Sequence, residues 1–344
     1  MKTTLTGLVI VLLASLAGCN GTVQTPQPPA PPEGKELFTV EFRQDQALRY
    51  KFVSSRKIKL EWGADEQRSA RSARRGGPSD ETTDMSESLS LVVAYKPVEV
   101  NAYGLTTVQA TCESVDVHRT KEGSSRARYS KDAVKDLAGK SFTFTVRPDG
   151  KIEDYSQLDE LIKEIGKNVF RPNTRQGLIK EPDMIGDFTA TQWFLWDSVS
   201  SIENPLEGVA VGQSWQSTLS VPAPMVMRKA RDVTYTLKEV RRSDKGRIAV
   251  IGSSYSRTEL VPDEWPVPYT GSFQVSGPFG LLRRFEILKL NGQGEELFNI
   301  SAGRTEEYKQ RYNMELSAVL MWALPGVSPH ITIDQTITMQ LLEN

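Results

Sequence analysis

Apolar and polar residues alternate with a period of two along most of this chain, in runs rich in Val, Ile, Thr, Tyr and Phe and separated by turn residues. Side chains on a strand point alternately to its two faces, so the pattern predicts half-buried antiparallel strands. The runs are Leu37 to Phe42, Leu48 to Trp62, Ser88 to Val100, Leu105 to Arg119, Ser141 to Arg147, Lys151 to Tyr155 and Ser214 to Val221. They continue with Asp232 to Arg241, Arg247 to Thr258, Phe273 to Val275, Leu281 to Lys289, Glu295 to Ser301, Arg304 to Ala318 and Ile331 to Leu342. Arg147-Pro148-Asp149-Gly150-Lys151 reads as a hairpin turn, because Asp-Gly accepts positive φ. Gly292-Gln293-Gly294 reads as a second turn between strands.

Helical spacing appears in three places. Ser130 to Leu137 stops at Gly139, and Ser156 caps a helix whose stripe is Leu158, Leu161, Ile162 and Ile165. A third helix is predicted from about Asp183 to Ile202, with Phe188, Leu195, Val199 and Ile202 on one face and Trp193 and Trp196 widening it. Such a stripe serves either as a lid over an apolar groove or, more commonly, as a face packed on a sheet. Ala64 to Ser86 breaks the strand pattern with Arg68, Arg71, Arg74 and Arg75 followed by Asp80, Glu81 and Asp84, the composition of a solvated loop.

Two stretches superpose on their glycines. Tyr95 to Val100 precedes Gly104 and Val108 much as Tyr235 to Val240 precedes Gly246 and Val250, and Gly150 then precedes Tyr155 as Gly303 precedes Tyr308. The second copy carries an insertion near 261–273 with Pro262, Pro266 and Pro268. The expected fold class is therefore α+β, mainly antiparallel β: curved sheets of two similar halves with a few helices, clam-like or half-barrel. The boundary between the halves, 37–210 and 211–344, falls before the run that opens at Ser214.

Charge adds little to this picture. With 42 basic against 43 acidic residues the chain is nearly neutral, which excludes a global basic field for nucleic acid. The two cysteines are Cys19 and Cys112. Val108 and Ala110 place Cys112 on the apolar phase of its strand, where a thiol packs as a small hydrophobe.

The first residues have another character. Lys2 precedes an apolar run, Leu8 to Leu13, much too short to span a bilayer, and Leu16-Ala17-Gly18-Cys19 closes it. These residues resemble the lipobox of bacterial lipoproteins at every position. The resemblance implies a signal peptide over 1–18, cleavage before Cys19 and lipidation of the Cys19 thiol, the one site residue it assigns. Two or three acyl chains at about 0.8 kcal/mol per buried methylene anchor stably. Asn20 in place of Asp after the cysteine implies a cell-envelope location, the outer membrane facing the periplasm. Pro26, Pro28, Pro29, Pro31 and Pro32 make 19–36 a semi-rigid tether, on the order of 50 Å at about 3.1 Å per residue.

The folded region, with Gly139-Lys140-Ser141-Phe142-Thr143-Phe144-Thr145-Val146 before Asp149-Gly150-Lys151-Ile152, resembles an uncharacterised family of bacterial secreted β-rich proteins. That family implies a fold and no reaction. A more distant similarity of shape links it to periplasmic lipoprotein carriers and lipid-binding lipoproteins.

Catalytic constellations are missing from the sequence. His118 and His330 stand far apart without a second ligand at metal spacing, and there is no Cys-x-x-Cys and no Gly-x-Ser-x-Gly. Ala138-Gly139-Lys140-Ser141 enters a strand, not the helix a phosphate loop requires, and Asp159/Glu160 and Glu306/Glu307 read as solvated neighbours. The expectation is a non-enzymatic membrane-anchored protein with no cofactor or metal. Its partner is an apolar or amphipathic ligand such as a lipid, or alternatively an envelope protein bound through sheet edges.

Overall fold

Strands dominate because the alternating runs pair with one another through almost the whole described chain. The computed structural model describes residues 34–44, 46–61, 82–121, 133–169, 184–221, 229–260, 282–320 and 329–343. Its strands are β1 (Lys35–Glu36), β2 (Leu48–Glu61), β3 (Thr82–Val100), β4 (Thr106–Lys121), β5 (Ser141–Val146), β6 (Ile152–Asp154) and β7 (Val209–Ala210). They are followed by β8 (Ser214–Ser220), β9 (Ala230–Ser243), β10 (Gly246–Arg257), β11 (Leu282–Asn299), β12 (Arg304–Leu320) and β13 (His330–Leu341). Three α-helices, α1 (Ser156–Val169), α2 (Ile185–Phe194) and α3 (Asp197–Ser200), and two 3-10 turns, Ala133–Leu137 and Pro205–Glu207, complete the described elements.

Eleven strands form one open antiparallel sheet in the order β6-β5-β4-β3-β2-β13-β12-β11-β10-β9-β8, and β1 pairs with β7 apart from it. The chain steps outward from β2 to one edge at β6. It resumes at the opposite edge with β8 and meanders back until β13 lies against β2, from Leu341↔Tyr50 to His330↔Glu61. The first long strand and the last are thus central neighbours, and both superposable hairpins lie in this single sheet. Strands from both sides of the 210/211 boundary contribute to it.

One face of the sheet carries the core. In β2 the inward positions are Leu48, Tyr50, Phe52, Ser54, Arg56, Ile58 and Leu60, all buried. Tyr95 sits among Tyr50, Phe144 and Trp196 with ring centroids 6.0, 6.2 and 5.9 Å away. Each buried aromatic of this kind contributes roughly 1.5–3 kcal/mol through lost water contact, so the cluster outweighs any single polar contact nearby.

Four expectations need correction. Leu37 to Phe42 is not a strand: its Val40 N–H donates to the Pro148 carbonyl at 2.6 Å and its Glu41 N–H to the Gly303 carbonyl at 2.9 Å. Those acceptors belong to two different hairpin turns, so no ladder forms, while Phe38 and Val40 still bury. Gly292-Gln293-Gly294 is not a turn but the middle of β11, which joins the two predicted strands on either side of it. The single helix expected to end at Ile202 is two, because Trp196 leaves helical geometry at φ −131° and ψ 10° and turns its ring into the aromatic cluster. The strand expected from Ser88 begins six residues earlier, so Asp84 belongs to β3 and not to a loop.

The Asp149-Gly150 turn is present, with Gly150 at φ 81° donating to the Arg147 carbonyl at 2.8 Å. The lipobox, Cys19, the tether prolines, Arg68, Arg71, Arg74 and Arg75, the 261–273 insertion and Phe273 to Val275 lie outside the described residues.

Candidate functional site at the polar centre of the sheet

A polar row crosses the inner face of the sheet. Register places Arg119, Glu87, Arg56, Gln335, Tyr312, Gly292 and Tyr255 side by side on β4, β3, β2, β13, β12, β11 and β10. On one side of this row the four middle strands, β2, β13, β12 and β11, present an apolar patch, while β9 adds Arg231 at its margin, opposite Arg257 of β10. Ile58, Ile333, Met314 and Leu290 stand in register, followed by Leu60, Ile331, Leu316 and Ile287, all buried. On the other side lie Ser54, Gln310, Gly294 and Ser253, then Phe52, Met339, Tyr308 and Glu296, with α2 and α3 reaching onto them.

α2 ties into the row through charge. Arg56 Nη1 lies 3.1 and 2.8 Å from the two oxygens of Asp187, and its Nε donates to Glu87 at 2.6 Å. Ser54 Oγ donates to Asp187 at 2.7 Å, Gln335 Nε2 reaches both Ser54 Oγ at 2.9 Å and Asp187 at 3.2 Å, and the Tyr312 hydroxyl donates to Gln335 at 2.8 Å. Burial works against the Arg56 charge, but Asp187 and Glu87 together outweigh it and raise its pKa.

α3 brings a second set. The Tyr235 hydroxyl and Ser217 Oγ donate to Asp197 at 2.7 and 2.9 Å, and Thr305 Oγ1 donates to Glu296 at 2.7 Å. Burial lifts the Asp197 carboxyl to about 6, against the pull of Tyr235, Ser217 and Arg231. Burial likewise lifts Glu296 to about 7, although Ser198 and Thr305 oppose it and the Asp197 charge adds to it. The Ser253, Tyr255 and Tyr308 hydroxyls form a chain with steps of 2.7 and 2.9 Å.

Two glycines make this packing feasible. A Cβ on Gly294 would lie 2.5 Å from both Ser253 Oγ and the Tyr255 hydroxyl, and one on Gly292 would lie 2.5 Å from Tyr312 Cβ. Their absent side chains are the reason β11 runs straight through the cluster.

Arg231, on β9, is fully buried, and its guanidinium carbon lies 4.4 Å from the Tyr255 ring centroid, 4.7 Å from Tyr312 and 5.2 Å from Phe194 of α2. Yet Nε, Nη1 and Nη2 have no hydrogen-bond acceptor among the described residues. Gln310, also fully buried, leaves both its amide oxygen and nitrogen without a partner. Buried polar groups are nearly always satisfied, so Arg231, over the Tyr312 ring, and Gln310, two positions from Tyr312 on β12, are exceptions that mark a place built to receive something polar.

The residues singled out in the sequence lie elsewhere. Cys112 is buried on β4 and its thiol is pushed up to about 12, first by burial and then by the Glu113 charge, so it is a packing residue. His118 is exposed, 2.8 Å from Asp116. Asp159 pairs with Lys163 along α1, and Glu306 with Arg304 at 3.1 Å. A register shift between Thr305 and Glu307 places Glu306 at a bulge of β12, and neither Glu306 nor Glu307 is buried. Among the described residues no three His, Cys, Asp or Glu side chains gather as a metal site.

Sequence reasoning missed the polar centre, though a signal was present. Arg56, Gln310, Gln335 and Arg231 each occupy the apolar phase of an alternating run, which is where an inward polar residue is exceptional.

Residues 94–259 match the model of a family of unknown function, DUF6263. The matched span holds Asp187, Asp197 and Arg231, while Arg56, Glu296 and Gln310 fall outside it. No curated protein matches the chain. Among solved structures it is similar to one titled "Lipid-protein interactions in lipovitellin", at a TM-score of 0.45 and 11% identity, covering 88% of this chain and 26% of that one.

Proposed function

We propose that this chain is a lipid-anchored protein of the bacterial envelope that binds an amphipathic ligand against the inner face of its sheet. The carrying observation is the division of that face: polar groups that include Arg231 and Gln310, neither with a hydrogen-bond partner among the described residues, border an apolar patch of Ile58, Ile333, Met314 and Leu290 on the four middle strands. A ligand with a polar end and a hydrocarbon end matches both parts at once. The lipobox supports lipidation at Cys19, and the proline-rich tether suits work away from the bilayer. Outer-membrane placement facing the periplasm follows from Asn20 by the same resemblance. The role is non-enzymatic and uses no cofactor.

Native mass spectrometry of the full chain purified from its cells tests the ligand. A bound amphiphile, together with saturable uptake of a fluorescent fatty acid, is expected. A chain that carries none and takes up none overturns the reading. Metabolic labelling with radioactive palmitate tests the anchor: label is expected on the native chain and lost in Cys19→Ala, and an unlabelled native chain overturns it.

A second reading, a protein partner that adds a strand, is favoured by β8. Among the described residues this edge strand, Ser214–Ser220, pairs only with β9 and contains neither Lys nor Pro to block pairing. Crosslinking in cells from a photoreactive residue at Gln216, an exposed position, would trap a stable partner if this reading holds.

A further inference from the structure

We infer that the Arg231 guanidinium, with the Gln310 amide, is the head-group site of the bound amphiphile, and that this head is an oxyanion of the carboxylate or phosphate class. The inference rests on the ligand-binding reading above and specifies its chemistry. Arg231 carries a positive charge and meets rings of Phe194, Tyr255 and Tyr312, but a ring contact satisfies the face of a guanidinium and leaves its in-plane N–H groups unmet. Those N–H groups form a planar fork that matches two oxygens of one carboxylate or phosphate.

The protein's own carboxylates are committed to other donors. Asp187 is held by Arg56, Ser54 and Gln335, Asp197 by Tyr235 and Ser217, and Glu296 accepts from Thr305. Each accepts hydrogen bonds from groups other than Arg231, and the guanidinium nitrogens remain without an acceptor among the described residues. The Asp197 charge acts on Arg231 without a hydrogen bond to it, and a buried guanidinium with no hydrogen-bonded acceptor carries a desolvation cost that an incoming anion would offset. Gln310 stands two positions from Tyr312 on the same face of β12, with a free N–H donor and a free acceptor, so it suits a head that has one protonated and one bare oxygen or an ester oxygen beside the charge. The apolar rows beyond Tyr312 give the hydrocarbon end its direction.

The test is calorimetric titration of the full chain in non-ionic detergent with decanoate, decyl phosphate and methyl decanoate. Decanoate or decyl phosphate is expected to bind about ten-fold or more tighter than the uncharged ester, the scale of a hydrogen bond to a charged group, and whichever acid binds identifies the head. Arg231→Met is expected to bring the acid-to-ester ratio close to one. Equal binding of acid and ester to the native chain overturns the head-group assignment and leaves ligand binding intact. Failure of all three to bind overturns ligand binding itself. Should Arg231→Met not fold, as judged by circular dichroism, the ratio in the native chain decides alone, and Gln310→Leu supplies the second variant, with a smaller fall in the ratio expected.

Discussion

Arg56 of β2 and Asp187 of α2 form a buried ion pair, Nη1 to Oδ2 at 2.8 Å, across the boundary between sheet and helix. Both side chains are shut from water, and each has further partners: Glu87 for the arginine, Ser54 and Gln335 for the aspartate. The pair therefore fixes where α2 sits over the row that contains Tyr312, whose ring the Arg231 guanidinium covers.

Removing both members should cost less than the sum of removing each. Asp187→Asn leaves a buried guanidinium short of charge and is expected to destabilise the chain by about 3–5 kcal/mol. The double variant Arg56→Met with Asp187→Leu should lose clearly less than the two single changes together. Urea unfolding of the three variants measures the difference. Additive losses would mean the pair is not coupled.

Stability should fall as pH rises from about 4 to about 7. Glu296, at about 7, and Asp197, at about 6, both hold their protons more tightly folded than unfolded, because burial disfavours their charge. Over the window between the unfolded and folded values the unfolded chain binds fewer protons, so the folding free energy weakens with pH, by roughly 1.4 kcal/mol per unit of raised pKa at most. The contribution is complete below the unfolded value and gone above the folded one. Glu296→Gln should flatten the upper part of the profile, read by urea midpoints at pH 5 and pH 8.

Alanine at Gly294 or Gly292 should disrupt the tyrosine cluster. The new Cβ would press on Ser253 and Tyr255 in one case and on Tyr312 and the β12 backbone in the other. Overpacking of this kind costs about 1–3 kcal/mol. Thermal melts should show Gly294→Ala below the native chain, and a matching loss at Gly292, while Gly186→Ala, where a Cβ meets nothing within 4 Å, should leave the melting temperature nearly unchanged.

The Cys112 thiol should be inert in the folded chain. Burial holds it protonated to about 12, and only the thiolate attacks. Alkylation mapped by mass spectrometry should leave Cys112 unmodified under native conditions and modify it rapidly in urea. Rapid native labelling would place the residue at an accessible site.

Period-two alternation made most of the sheet legible in advance. Strand positions, the Asp149-Gly150 turn, the stripe of α1 and the burial of Cys112 all follow from local chemistry that acts over a few residues. Leu37 to Phe42 looks identical by that criterion, and it failed because a strand also needs a neighbour's ladder, which its Val40 and Glu41 amides do not find. Glycines at 292 and 294 looked like a turn because only the tyrosines of β10 and β12, far away in sequence, explain why they lie flat in a strand.

The sequence by itself determined which residues alternate, where the chain turns and that its start resembles a lipoprotein leader, because each depends on neighbours along the chain. Only the tertiary structure decided that β13 lies beside β2, and so that Arg56, Gln335, Tyr312 and Tyr255 share one row with Arg231 folded over it. Strand order is a long-range choice, set by which inward faces pack together. A polar residue on an apolar phase acquires its meaning only from what that choice places next to it.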